Sequence, residues 1–415
     1  MNKESINDSV LENESIVLEN DKKITIIGIG NIGLGFSLLL EKNGYNVVGV
    51  DFLENENYVK LLNEKVNYSS NEPEFKRLLN ESKKFKATTS LQEGLSFSNI
   101  IFIFVQLPIS NNVEKYFDHS VLSNLIFKIN KLNPENKHII ISSTVMASFT
   151  KDIGCFLLQD CNNVSLSYNP EFVEQGNIIN GFQNPDLILC GTYSEELKLI
   201  LNEIYTKITF CEGISKTPTF LTPTEAEIVK LALNSYITTK IAFANIIGDL
   251  CNVMNNIKNE TETDFINKNI VLESIGLSSS IGNKHFKAFE NFKGPCFPKD
   301  IKAFKKLLDN HFVNSKLLEG TIEYNNEHLV FQVEQLIKED LPVYYFENVG
   351  YSTDSDVNQI NGSSRVPVIE ESLKLKIARV LVFNYGKNVV IRDNKDTIEE
   401  VMKEYGNLFN YEIII

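Results

Sequence analysis

Lys23-Ile24-Thr25-Ile26-Ile27-Gly28-Ile29-Gly30-Asn31-Ile32-Gly33 is the stretch on which the reading of this chain turns. Its first five residues form a short apolar run, as expected of a parallel strand covered on both faces. The glycines that follow, spaced G-x-G-x-x-G, allow a tight turn and let the backbone approach a pyrophosphate at a helix N-terminus. An apolar helical stretch, Leu34 to Leu40, comes next, then a second strand, Tyr45 to Val50, ending at Asp51. Strand, glycine turn, helix, strand and acid is the order of a dinucleotide-binding unit. An acid at the end of the second strand suits a ribose 2′-hydroxyl and favours NAD over NADP. The unit predicts cofactor contacts from Gly28, Ile29, Gly30, Asn31, Ile32, Gly33 and Asp51.

Further strands are expected at Asn99 to Val105, His138 to Ser142, Val164 to Ser167 and Asp186 to Cys190, with helical segments between them. That alternation predicts an α/β, doubly wound parallel sheet over 21–215. A long helix is predicted from Pro223 to about Met254. Pro223 and Thr224 make a good start, with Glu225 and Glu227 in the first turn, and its length suggests a spine between domains. Lys230 and Asn234 stand four apart and project from one face. Their neighbours Ile228, Val229, Leu231, Ala232 and Leu233 are too apolar for a solvated surface. The helical domain, 216–338, also holds Cys296, after which a helical region runs to about Glu339. A third unit, 339–415, opens at Pro342-Val343-Tyr344-Tyr345-Phe346 and reads as a smaller α/β domain, with a helix near Val366 to Val382 and a strand Lys387 to Arg392 ending at Asp393. Ser352 to Ser364 reads as a loop. The first 20 residues, rich in Asn, Glu and Ser, read as a flexible tail without the basic-then-apolar order of a signal peptide.

With 415 residues the chain is long enough for two or three domains. Apolar content of 43% and charged content of 23% are those of a globular protein. A net charge of −14 argues against nucleic acid and anionic membranes as partners. No run approaches about 18 uninterrupted apolar residues, so no membrane span is expected. The six cysteines (155, 161, 190, 211, 251 and 296) show no CxxC pairing, which fits a reducing, cytoplasmic setting. The five histidines are scattered without ligand spacing, so no metal site is expected.

Cys296 lies in Gly294-Pro295-Cys296-Phe297-Pro298-Lys299-Asp300. A Pro two residues after it suits the first turn of a helix and places the Cys just before that helix begins. The helix dipole and Lys299 would both favour thiolate there. Asp300 returns to the same side one turn later, so a nucleophile and a carboxylate stand together.

These residues together resemble the UDP-glucose/GDP-mannose dehydrogenases, nucleotide-sugar 6-dehydrogenases, over about 22–393. The glycine turn with Asp51 resembles the family's NAD site, and Ser143-Thr144-Val145 its Ser-Thr-Val motif. Asn169-Pro170-Glu171-Phe172-Val173-Glu174-Gln175-Gly176 is similar to its Asn-Pro-Glu-Phe loop. Glu227-x-x-Lys230-x-x-x-Asn234, with Phe243-x-Asn245, is similar to its central helix. Cys296-Phe297-Pro298-Lys299-Asp300 resembles its nucleophile motif, in the form nearer the UDP-glucose and GDP-mannose branches than the N-acetylated-sugar branches.

The resemblance implies a Rossmann-type N-terminal domain, a central helical domain with the Cys loop, and a Rossmann-like C-terminal domain that binds the nucleotide sugar. It implies four-electron oxidation of a nucleotide sugar at C6, UDP-glucose to UDP-glucuronate foremost, through an aldehyde, a thiohemiacetal and a thioester on Cys296. Lys230 and Asn234 would stabilise the oxyanion. Asp300 and Glu171 are the candidates for water-mediated base work, with Thr144 positioning that water. Thr144, Glu171 and Lys299 would also meet the cofactor. Substrate contacts are implied for Glu171, Phe172, Val173, Glu174, Gln175, Lys230, Asn234, Lys287, Phe292 and Gly294. A homodimer through the long helix, and uronate supply for a surface polysaccharide, are implied too.

Several family cations are replaced. Ser280 stands where an Arg is common, Glu56 where a basic residue follows the acid, and Tyr351-Ser352 where an aromatic-Lys pair is expected. A later Arg is replaced by Gln359 or Asn361, with Arg365 the nearest. Asn291 and Lys293 stand for two glycines, and Leu107-Pro108 for Thr-Pro. A non-catalytic binder of NAD or nucleotide sugar therefore stays open, as does a simpler two-electron hydroxyacid dehydrogenase that uses the Lys230–Asn234 pair.

Overall fold

The computed structural model describes residues 22–65, 68, 70, 72–108, 117–209, 213, 215–257, 265–288, 291–292, 296–349 and 372–414. The tail 1–20, Cys211, Lys293, Gly294, the loop 352–364 with Gln359 and Asn361, Tyr351 and Arg365 lie outside the described residues. The described chain divides into two compact units, the first through Lys230 and the second from Leu231.

In the first unit eight strands form one sheet: β1 Lys23–Ile27, β2 Asn46–Val50, β3 Lys86–Thr88, β4 Ile100–Ile103, β5 Lys137–Ile141, β6 Val164–Tyr168, β7 Leu189–Gly191 and β8 Thr219–Leu221. Their order is β3-β2-β1-β4-β5-β6-β7-β8. The neighbours from β3 to β6 pair in parallel. β6 meets β7 antiparallel through one residue pair, Tyr168 opposite Gly191, and β7 pairs β8 in parallel. The expected parallel sheet thus holds one reversed junction.

The apolar runs explain the double winding. Along β1 and β4, Ile24, Ile26, Ile100 and Phe102 enter one buried core while Ile27, Ile101 and Ile103 enter the other. A strand buried on both faces needs apolar side chains at every position, not at alternate ones. The first core is closed by α1 Asn31–Lys42, α2 Glu56–Glu64, α3 Phe75–Glu81, α6 Ile178–Gln183 and α7 Glu195–Ile208; the second takes α4 Leu91–Phe97 and α5 Ser120–Leu132. The order reverses direction between β1 and β4, where ligands of open α/β sheets bind.

Helix α8, Pro223–Ile257, carries the chain out of the first unit. The second unit continues with α9 Lys268–Gly276, α10 Phe297–Asn310 and α11 Lys316–Lys338. Ile241, Phe292, Ile301 and Leu318 form a core among α8, α10 and α11. The helical region expected after Cys296 is two helices, because residues 311–315 break it, with Phe312 at φ 58°. The C-terminal part is a three-stranded parallel sheet, β11-β10-β9, from β9 Tyr344–Glu347, β10 Val389–Asp393 and β11 Asn410–Ile413, joined by α12 Leu373–Tyr385 and α13 Lys395–Tyr405.

Candidate active site

The glycine turn sits at the sheet's switch point. Gly28 has φ +88°, and a Cβ there would strike the carbonyl oxygen of Phe104. Its N–H donates to Val50 O at 2.8 Å, and Phe104 N–H donates to Ile27 O at 2.7 Å. Gly30 caps α1, and an added Cβ would meet nothing within 4 Å. No acidic side chain stands in the first turn of α1. Open space and a positive helix end whose first turn holds no acid fit a pyrophosphate. At Gly33 a Cβ would collide with the Gly28 carbonyl oxygen, so glycine is what lets the helix close on the strand. Tyr58 Oη donates to Ile29 O at 2.9 Å and braces the turn. Asp51 is buried at the end of β2, where its Oδ1 accepts from Phe52 N–H at 2.8 Å and Asn55 Nδ2 at 2.5 Å.

Two loops leave neighbouring strands of the first unit. After β5, Ser143 Oγ donates to Val105 O at 2.6 Å and Thr144 is half-buried. Ser148 and Thr150 N–H groups donate to Glu227. After β6, Asn169 is buried: its Nδ2 donates to Leu189 O at 2.8 Å, and its Oδ1 accepts from Tyr205 Oη at 2.5 Å. Lys230 is 5% exposed; its Nζ donates to Glu171 O at 2.5 Å and lies 4.5 Å from the Phe172 ring centre. Glu171 Oε2 accepts from Val173 N–H at 3.3 Å. Phe172, Val173 and Gln175 are half-buried and Glu174 is exposed. The loop ends on Glu72, whose oxygens accept from Gly176 N–H at 2.6 Å and Ile178 N–H at 3.3 Å. Burial pushes the Glu72 carboxyl up, against the pull of those amides.

The nucleophile candidate lies in the second unit. Cys296 caps α10 with Pro298 in the first turn, and Asp300 N–H donates to Cys296 O at 2.8 Å. Cys296 is exposed and Lys299 half-buried. Asp300 is 1% exposed, and its Oδ2 accepts from Asn234 Nδ2 at 2.7 Å. Its Oδ1 has no partner among the described residues. Phe292 lies in the helical core, its backbone N–H held by Asn325 Oδ1 at 3.0 Å. Lys287 and Ser280 are exposed. Lys240 Nζ donates to Ile281 O, Gly282 O and Lys284 O at 2.9, 3.0 and 2.6 Å, so this cation secures the turn after α9.

The first unit thus brings Glu171 to Lys230, and the second brings Asn234 to Asp300 beside Cys296. Glu72, Lys240 and Asn325 were not anticipated. Each acts on main-chain groups dozens of residues away, and such pairings leave no local spacing to read. Among the described residues no group of His, Cys, Asp or Glu could hold a metal ion, and no helix is long and apolar enough to cross a membrane.

A glycine turn opening a helix at the switch point of a doubly wound sheet defines a dinucleotide-binding domain. Residues 22–209 match the NAD binding domain of the UDP-glucose/GDP-mannose dehydrogenase family, and 224–327 match its central domain. The chain belongs to this family of NAD-dependent enzymes, and NAD is its cofactor. It is 29% identical over 358 residues to the UDP-glucose 6-dehydrogenase of Rickettsia bellii, covering 84% of this chain and 78% of that one. The fold is similar to that of a UDP-glucose dehydrogenase from Pyrobaculum islandicum, with a TM-score of 0.80, 21% identity and 94% and 86% of the two chains covered. It is also similar to a UDP-D-ManNAc dehydrogenase from Pyrococcus horikoshii, with a TM-score of 0.70, 23% identity and 89% and 83% covered.

Proposed function

We propose that this chain oxidises a UDP-sugar at C6 to the uronate, UDP-glucose being the substrate its sequence relatives favour. The observation that carries the reading is Asp300. A buried carboxylate with one oxygen on Asn234 and the other unpartnered, one turn from an exposed cysteine, is suited to take a proton from water. NAD held at the glycine turn would supply the hydride acceptor, one molecule for each of two oxidations. All other chemistry falls to side chains.

In the first oxidation C6 loses a hydride and its hydroxyl a proton, which leaves through water held by Thr144 and Glu171. Lys230 and Asn234 stabilise the oxygen as charge develops. Cys296 Sγ then attacks the aldehyde carbon; an S–C bond forms and the carbonyl oxygen takes a proton, giving a thiohemiacetal. A second hydride leaves C6 and the hydroxyl proton is lost, giving a thioester. Asp300 takes a proton from water as its oxygen attacks; the S–C bond breaks and the thiolate returns. Val173, Gln175 and Lys287 are the proposed sugar and phosphate contacts, and 339–415 the nucleotide-sugar-binding domain.

The test is NADH formation at 340 nm with UDP-glucose, UDP-N-acetylmannosamine and GDP-mannose. Two NADH per sugar are expected, and Cys296→Ala should abolish uronate. One NADH per sugar, or turnover untouched by that substitution, rejects the four-electron route. Ser280 in place of a family arginine is the reason for the wider panel. We also infer a cytoplasmic homodimer. The exposed Tyr236, Phe243, Ile246 and Leu250 of α8 support an apolar interface. Light scattering at the mass of one chain would remove the dimer.

A further inference from the structure

Glu227 is 0% exposed and lies in the second turn of α8, not in the first turn expected from sequence, which holds Glu225. Its Oε2 accepts from Ser148 N–H at 2.6 Å and its Oε1 from Thr150 N–H at 2.9 Å. Those amides belong to the segment that follows Thr144 and opens the helical turn Phe149–Gly154. Three residues on, Lys230 donates to Glu171 O. One stretch of helix therefore presents an acceptor to the Thr144 segment and a donor to the Glu171 loop, all within the first unit.

We propose that Glu227 is a positioning residue that fixes the Thr144 segment to the helical turn bearing Lys230. Its kinetic role rests on the dehydrogenase reading above. Both carboxylate oxygens are committed to main-chain amides, so Glu227 is not placed to shuttle protons. Only a carboxylate offers two acceptors and no donor; glutamine would set an N–H against an N–H. Holding a carboxylate there is unfavourable, since burial pushes its carboxyl up with Asp152 adding to the effect. A purely apolar contact would hold α8 without that cost. The same segment has two lighter tethers, Ser143 Oγ on Val105 O and Met146 N–H on His119 Nε2 at 3.3 Å, while the His119 ring stacks on Phe149 at 4.5 Å. Among the described residues Glu227 supplies the hydrogen bonds between the segment and α8, beside an apolar core that Val145 and Phe149 share with Ala226.

The experiment compares full-length wild type and Glu227→Gln by hydrogen exchange, melting and steady-state kinetics. Exchange is run in the cold, below the melting transition of either protein, so a lowered melting temperature does not blur it. We expect exchange over 143–154 to quicken about ten-fold or more while β1 and β4 keep their protection. We expect kcat to fall about ten-fold or more with both KM values within about three-fold. Unchanged exchange in that segment overturns the proposal, as does unchanged kcat in an active wild type. Quickening spread evenly over the first unit, with kcat and KM failing together, also overturns it, because that is general loss of structure. Should wild type give no NADH with any nucleotide sugar, the functional reading fails by itself, and local exchange still decides whether Glu227 holds the segment.

Discussion

Asp300 combines burial with an unpartnered Oδ1. An acceptor left in that state costs about 1–3 kcal/mol, and a bound water or substrate group would relieve it. Asp300→Asn should leave the melting temperature near wild type and lower kcat by about 10²–10⁴. A thioester adduct on Cys296 should then be visible by intact mass after quenching; full activity in this variant would take Asp300 out of hydrolysis. Glu72 gives a pH prediction. Burial raises its folded pKa, so the folded chain holds that proton more tightly than the unfolded chain. The stability this contributes is complete below the unfolded value and is lost as pH rises through the folded one. Urea unfolding should therefore show wild type gaining on Glu72→Gln as pH falls from neutrality toward about 4.3. A shrinking difference would contradict the sign. The pairs Lys230–Asn234 and Cys296–Asp300 could be picked out as candidates because the members of each stand one turn apart on a single helix. Glu72 could not, because its meaning lies in the amides of Gly176 and Ile178, over a hundred residues away.

Among the elements, α1 separates fold from binding most cleanly. Gly33→Ala drives a methyl into the Gly28 carbonyl and should destabilise the whole first unit. Gly30→Ala meets open space, so it should melt within a few degrees of wild type yet raise the KM for NAD by about ten-fold or more, equal to about 1.4 kcal/mol of lost binding. Equal melting losses in both variants would show that Gly30 serves the fold instead. Eight strands could be read from sequence, and in β1, β2, β4 and β5 the signal is a largely apolar run, present because both their faces are covered. The three that could not, β3, β8 and β11, are all sheet edges. Each spans three or four residues and is largely unburied, so no apolar run announces it. The break after α10 was equally hidden, since residues 311–315 contain neither Gly nor Pro.

Across the whole molecule, the alternation of apolar strand and helix was enough to predict α/β architecture with two separate sheets. The reversal between β6 and β7 was beyond it, because strand direction follows from how a connection closes, and the segment between them holds only the short α6. One structural detail there changes how the Asn-Pro-Glu-Phe loop is understood. With a single backbone pair across the junction, the sheet has a seam, and side chains stitch it. Asn169 Nδ2 reaches Leu189 O, and Ser167 Oγ donates to Thr192 Oγ1 at 2.8 Å. The first residue of a loop read as chemistry is thus a fastener between two sheet segments. Asn169→Ala should free β7 and β8 to exchange amide hydrogen well before β1, β2 and β4, as a tear that starts at one stitch; uniform protection across all eight strands would show that the seam holds without it.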